Sequence, residues 1–345
     1  MKLSDFDFSL PHDLIAQHPL PERDQSRMMV VWRSTGKREH LIFRDLPDIL
    51  GPEHFLVMNN ARVFPARLNA SRPGKREKIE LLLVRELAPG LWLALLKPAR
   101  KAQPGQQLLI GSLHAHVVDL QEAGSRILRF EESEGLMEQF EQIGEPPLPP
   151  YIHRMTNKDS AEDRERYQTV YARYTGSVAA PTAGLHFTPE VLKRLEIRGI
   201  RRCEILLHVG YGTFQPVRCE EIENHRMDPE YFEVDEQAAA CIRRNKAEGR
   251  CLIAVGSTTT RVLEHLAARG CAFDGSESGY CDLFVCPGFK FQMLNGMLTN
   301  FHLPRSTLFM LVSAFAGREL MLDCYREAVS ESYRFFSYGD CMLLL

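Results

Sequence analysis

The chain offers few of the residues that would point to a disulfide scaffold, a metal centre or a membrane. All nine cysteines fall between Cys203 and Cys341; they form no C-x-x-C pair, and the closest spacing is Cys281 to Cys286. An odd, dispersed set argues against a disulfide framework or a zinc site, so reduced, mostly buried thiols are expected and no metal. No histidine pair shows H-x-x-x-H or H-E-x-x-H spacing, which removes the usual helical metal sites. No apolar run reaches the ~18 residues a membrane helix needs, which excludes a membrane partner. The start, "MKLSDFDFSLPHDLIAQHP", carries acids early and has no apolar signal core, so a cytoplasmic protein is expected. A Walker loop and a G-x-S-x-G elbow are both missing, which leaves P-loop and serine-hydrolase chemistry without support.

Charge of one sign is missing too. Lys and Arg number 42 against 45 Asp and Glu, a net charge of −3. The distribution is less even. Arg62, Arg67, Arg72, Lys75, Arg76 and Lys78 crowd one stretch, with Lys97, Arg100 and Lys101 following, while "EESEGLMEQFEQIGE" from Glu131 to Glu145 is acidic. Such separation makes either a local basic groove on a neutral protein or ordinary solvated strand faces.

With 345 residues, 44% of them hydrophobic, the chain is expected to form about two domains. From about Arg67 to Glu131 short apolar or alternating runs ("KIELLLVREL", "LWLALLKP", "QQLLIGSLHAHVVDL", "SRILRFEE") are broken by Pro-Gly and Gly turns, the pattern of an antiparallel barrel or sandwich. "EPPLPPYI" makes a stiff exit. Beyond it, strand, turn and helix alternate: "RRCEILLHVG", "VDEQAAACIRRNKAEG", "RCLIAVGSTTTRVLEHLAARG", "CDLFVCPG" and "GMLTNFHLPRSTLFMLVSAFAG". That alternation predicts an α/β domain with a mostly parallel sheet and flanking helices. "SRMMVVWR" and "HFLVMNN" have no sheet of their own and are expected to join it. The expected division is residues 1–65 and 151–345 as a discontinuous α/β domain, with 66–150 an inserted β-barrel.

Five segments stand where strands end: "NNARVFPARL", "GSVAAPTAGLHFT", "HVGYGTFQPV", "VGSTTTRVLE" and "TNFHLPRSTL". Ligands bind beyond the carboxyl ends of strands in such sheets. Small residues let backbone approach a ligand closely. The Gly256–Arg261 turn predicts a helix start capped by Ser257 or Thr258, able to attract an anion with help from Arg261. "HVGYGTF" lacks the third glycine of a dinucleotide fingerprint. His208 is either a ligand contact or a hydrogen-bonded core group. His186 and His302, in polar loops before helices, are the acid–base candidates. Tyr167, Tyr171 and Tyr174 interleave with arginines, as either base-stacking groups or a helical core stripe.

Taken together, these motifs, with "PPLPPYIHR", "YQTVYA" and "YRFFSYGDCMLL", resemble the S-adenosylmethionine:tRNA ribosyltransferase-isomerase family of queuosine biosynthesis over essentially the whole chain. The resemblance implies an α/β domain interrupted by a β-barrel. It also implies S-adenosylmethionine as ribosyl donor, a substrate with no further cofactor. The acceptor is 7-aminomethyl-7-deazaguanine at the wobble position, in a tRNA anticodon loop. The products are epoxyqueuosine in the tRNA, adenine and methionine. Asn60, Ala61, Tyr211, Gln215 and Asp228 depart from the family pattern. On this reading His186 and His302 share the proton transfers, with Asp282 an alternative base. Asn59, Arg62, Ser177, Thr182, Gly184, His208, Gly210, Gly212, Thr258, Arg261 and Asn300 contact the substrates, Arg261 taking the methionine carboxylate or a phosphate. Arg67, Arg72, Lys75, Arg76, Tyr167 and Tyr171 contact RNA, and a monomer is expected. A binding module would instead hold tRNA indifferently to S-adenosylmethionine, and a methyltransferase would release S-adenosylhomocysteine.

Overall fold

The computed structural model describes residues 1–345 except 122–123, 155–156, 211, 213–216 and 218, and the side chains of 157–160. Tyr211 and Gln215 therefore lie outside the described residues. Runs such as "RMMVVW" and "CLIAV" form strands buried on both faces, because helices cover each side of the sheet. Met29 and Val31 pack into one core, with Val262, Phe309 and Tyr325, while Met28 and Val30 pack into another, with Phe43, Val191 and Leu195. This is the period-two alternation of a strand seen from both sides.

The large sheet has nine strands. Its order is Glu277–Cys281, Glu230–Val234, Arg201–Leu207, His54–Asn59, Cys251–Val255, Gly296–Asn300, Cys341–Leu344, Arg27–Trp32, Lys37–Ile42. Four strands at its centre, Arg201–Leu207 to Gly296–Asn300, run parallel. The sheet as a whole is mixed and not mostly parallel, since four of its eight pairings are antiparallel. A tight turn at Thr35–Gly36 returns Lys37–Ile42 as a hairpin, the last strand enters antiparallel to Gly296–Asn300, and Glu230–Val234 runs antiparallel to both of its neighbours. "CDLFVCPG" is not a strand; pairing ends at Cys281.

The second sheet orders Arg67–Ala70, Ile79–Ala88, Leu91–Lys97, Ser125–Phe130, Leu113–Leu120 and Gln107–Ile110, all antiparallel. Mutual Ser71–Leu109 backbone hydrogen bonds of 2.8 and 2.9 Å bring its two edges together into a barrel. Its core includes Phe64, Trp92 and Phe130, and Phe140 of the Leu136–Ile143 helix packs edge-on against Trp92. Among the described residues no helix is long and apolar enough to cross a membrane.

The expectation of reduced thiols fails at one pair. Cys203 and Cys241 form a disulfide, with Cα atoms 6.0 Å apart, because the Glu236–Ala247 helix packs on the Arg201–Leu207 strand. That separation lies within ordinary bridging distance.

Candidate functional site

The four parallel strands deliver their carboxyl ends to one edge of the sheet, where a cavity of about 430 Å³ opens. Its walls come from Ala179–Ala183, Gly256–Thr258 and Thr299–Leu308, with Tyr151, Val209 and Phe336. Of the expected site residues, Thr182, Thr258, Asn300 and His302 meet here. His302 is 6% exposed, its Nε2 2.9 Å from Thr299 Oγ1, and its backbone N–H donates to the Tyr325 hydroxyl. Burial alone draws its pKa down to about 3, because the apolar surroundings penalise the imidazolium. Asn300 donates to Phe336 O at 2.9 Å, and its buried Oδ1 has no hydrogen-bond partner among the described residues.

His186 sits behind this wall. It lines a separate recess of about 20 Å³ with Arg23, Ser26 and Arg166, against the Phe43 ring. Its Nε2 is buried without a partner among the described residues. Burial lowers its pKa to about 4, with Asn300 the largest opposing influence and Arg23 and Arg334 lowering it further. Ser337 lines both spaces, so it stands between the recess of His186 and the cavity of His302. Both are neutral at pH 7. Asp282, the alternative base, is exposed and lines neither cavity.

A second cavity of about 590 Å³ lies between the barrel and the large sheet. Arg85, Trp92 and Leu95 face Gly176, His208, Gly210, Gly212 and Tyr231 across it. Val209 belongs to both cavities. Gly176 is at φ +146°, and a Cβ there would fall 2.1 Å from His208 Cε1. Only glycine lets the Tyr174–Ser177 strand pass this ring. At Gly212 a Cβ would meet the Asp228 carboxylate at 2.2 Å. His208 is pushed below the usual imidazole value by burial, opposed by its hydrogen bond to the Gly176 backbone.

Several residues expected to touch substrate support the site from behind. Asn59 donates to Leu207 O at 2.9 Å and accepts from the Ala61 and Leu207 amides. Ser177 donates to Ala179 O at 2.7 Å and accepts from Val209 N at 2.9 Å, pinning the wall both cavities share. Gly184 passes under Tyr171, whose hydroxyl would lie 2.1 Å from an added Cβ. Arg62 is exposed, its backbone paired with Thr175.

Arg261 turns away from the cavity. It is buried and paired with Glu230, whose other oxygen accepts from Gly210 N at 2.7 Å. The expected side-chain cap is also missing: Gly256 is the N-cap at φ 90°, and Thr258 Oγ1 is buried without a partner among the described residues. The tyrosines lie beyond the Asn157–Arg166 helix and form no helical stripe. Tyr167 is 1% exposed and packs on Tyr338, with no ring face open to a base. Tyr171 is half-buried against Phe187. On the barrel, Arg72 is neutralised by Glu77, which Lys101 also contacts at 3.0 Å; Arg67, Lys75 and Arg76 are exposed. His114, Glu131 and Glu132 bring possible ligand atoms within 4.8 Å on the barrel, lining neither cavity.

Sequence reasoning missed Tyr151, Phe336 and Ser337 in the first cavity and Arg85, Trp92, Glu230 and Tyr280 in the second. Nothing in their local spacing marks them, because each arrives through tertiary packing.

A family model described as "Queuosine biosynthesis protein" matches residues 3–344. The chain is 48% identical over 347 residues to the S-adenosylmethionine:tRNA ribosyltransferase-isomerase of Desulfitobacterium hafniense, covering all of both chains. It is 49% identical over 349 residues to the protein of the same name from Pelotomaculum thermopropionicum, again covering all of both. Among solved structures it is similar to the S-adenosylmethionine tRNA ribosyltransferase of Thermotoga maritima. The TM-score is 0.57 at 36% identity, over 99% of this chain and 100% of that one.

Proposed function

The chain belongs to the queuosine biosynthesis protein family, and from that membership we propose how its two cavities divide the reaction. It is an S-adenosylmethionine:tRNA ribosyltransferase-isomerase. In our reading it works as a cytoplasmic monomer needing no further cofactor, with residues 1–65 and 151–345 as the catalytic domain and 66–150 as the inserted barrel. The ribosyl moiety passes to 7-aminomethyl-7-deazaguanine at the tRNA wobble position, giving epoxyqueuosine with loss of adenine and methionine.

The observation that carries this reading is the shared wall at Val209. The 430 Å³ cavity has the mixed apolar and hydroxyl lining that suits a small donor. The 590 Å³ cavity, between barrel and sheet, can admit a base from a splayed anticodon loop. The sulfonium acidifies the adjacent 5′ carbon of the donor. In our reading His302, neutral and in the cavity wall, accepts that proton. His186 acts through Asn300 as a positioning residue. The imidazole is unprotonated at pH 7, and an acid–base contact is worth ~10²–10⁴-fold in rate.

The test is adenine release from S-adenosylmethionine with tRNA carrying 7-aminomethyl-7-deazaguanine, against the same tRNA carrying guanine. Adenine and methionine are expected only with the modified tRNA. His302→Ala should lower release by at least ~10²-fold with the fold intact. Turnover near wild type would remove His302 from the mechanism.

A further inference from the structure

Arg261 is the residue that the sequence offers to an anion, and its pairing with Glu230 leaves that task to something else. The helix Ser257–Ala268 starts on Gly256 with no side-chain cap. Thr260 N returns to Gly256 O at 3.1 Å, but the amides of Ser257, Thr258 and Thr259 have no acceptor among the described residues. The hydroxyls of this turn behave differently from one another. Thr259 Oγ1 donates to Val255 O at 2.8 Å and Thr260 Oγ1 to Gly256 O at 3.1 Å. Thr258 Oγ1 donates to nothing among the described residues, although the residue is 7% exposed and forms part of the 430 Å³ cavity wall. A buried hydroxyl without a partner is destabilising. Beside three free amides at the positive end of a helix, it marks a place shaped for an anion.

The rest of the cavity identifies the anion. Among the described residues Arg305 is the only lysine or arginine in its lining, and it is paired with Asp7. Ala179, Val209, Leu303 and Phe336 supply apolar wall. A nucleic-acid backbone is ordinarily held by cationic side chains, and the described lining offers none unpaired. A single carboxylate on an otherwise amphipathic small molecule fits neutral donors and apolar walls better. We propose that the first turn of the Ser257–Ala268 helix, through the Ser257–Thr259 amides and the Thr258 hydroxyl, binds the carboxylate of the amino-acid end of S-adenosylmethionine. The assignment rests on the function proposed above. It orients the donor with its carboxylate at Gly256–Thr259 and its sulfonium carbon toward His302.

Calorimetric titration of the intact protein with S-adenosylmethionine and with its decarboxylated analogue tests this. Wild type should bind the decarboxylated compound at least about tenfold more weakly, the size expected for a hydrogen bond to a charged group. Thr258→Val should weaken S-adenosylmethionine binding by a similar factor and leave the analogue within about twofold. Thr258→Ser, which keeps the hydroxyl, should keep wild-type discrimination; if the valine variant does not fold, equal affinity of wild type for the two compounds overturns the assignment in its place. Equal weakening of both compounds in Thr258→Val would overturn the carboxylate assignment. So would weaker tRNA binding with donor affinity unchanged, which would move the site to an RNA phosphate. Failure of wild type to bind S-adenosylmethionine at all, with or without tRNA, would strike the proposed function itself.

Discussion

His186 and His302 are buried, neutral and held well below the imidazole value of a free chain, at about 4 and about 3. The sign of their effect on stability follows directly. Between those values and about 6.5 the unfolded chain carries protons that the folded chain refuses, so stability rises with pH across that window and falls on acidification. Each histidine contributes a slope of about 1.4 kcal/mol per pH unit there. Urea unfolding between about pH 4.5 and 6 should show that slope, and His302→Asn should reduce it by one histidine's share. An unchanged slope would mean that His302 is solvated in the native state. The Arg261–Glu230 pair carries a second expectation. Both side chains are buried, and removing Arg261 takes a buried countercharge from Glu230, at about 3–5 kcal/mol. Arg261→Met should therefore lower stability by that amount in denaturant melts. A loss below about 1 kcal/mol would show the pair to be solvated.

The Tyr174–Ser177 strand is the element on which both cavities lean. Its partner Ala61–Val63 runs parallel to it. Ser177 ties its end to Val209, and Asn59 ties the neighbouring strands together at Leu207. Gly176 is where this element passes His208. Gly176→Ala would have to adopt an unfavourable φ and displace the imidazole, so a loss of about 1–3 kcal/mol is expected. Modified-tRNA-dependent turnover should fall with it, because the ring faces the cavity between the two sheets. A Gly176→Ala protein with wild-type stability and turnover would show that the strand can shift freely.

In the whole molecule, the barrel contributes one wall of the larger cavity and an exposed basic stretch at Arg67, Lys75 and Arg76. Arg72 is set apart by its ion pair with Glu77. Lys75→Glu combined with Arg76→Glu should weaken tRNA binding. The dependence of log affinity on log salt should flatten by about 0.7 for each single-strand phosphate that the variant no longer neutralises. Unchanged affinity and slope would place the RNA path elsewhere.

Much of this architecture is written in short-range pattern. The alternation in "IELLLVRELA", the Gly249 and Gly270 stops and the strand–turn–helix around Gly256 produce the expected elements. The segments ending the central strands do meet at one edge of the sheet, because parallel strands present their carboxyl ends together. Long-range partners follow other rules. Glu230 reaches Arg261 across 31 positions of sequence, and Cys241 meets Cys203 only because a helix packs on a strand. The tyrosine series looks available for stacking in the sequence, but Tyr167 enters the core beside Tyr338. Half of the pairings in the large sheet are antiparallel; one is the Thr35–Gly36 hairpin, and another arises because the last strand enters between Gly296–Asn300 and Arg27–Trp32. Periodicity and turn chemistry act over a few residues, so they can be read along the chain. Which buried charge finds which partner, and which hydroxyl is left without one, depends on packing between segments far apart in it.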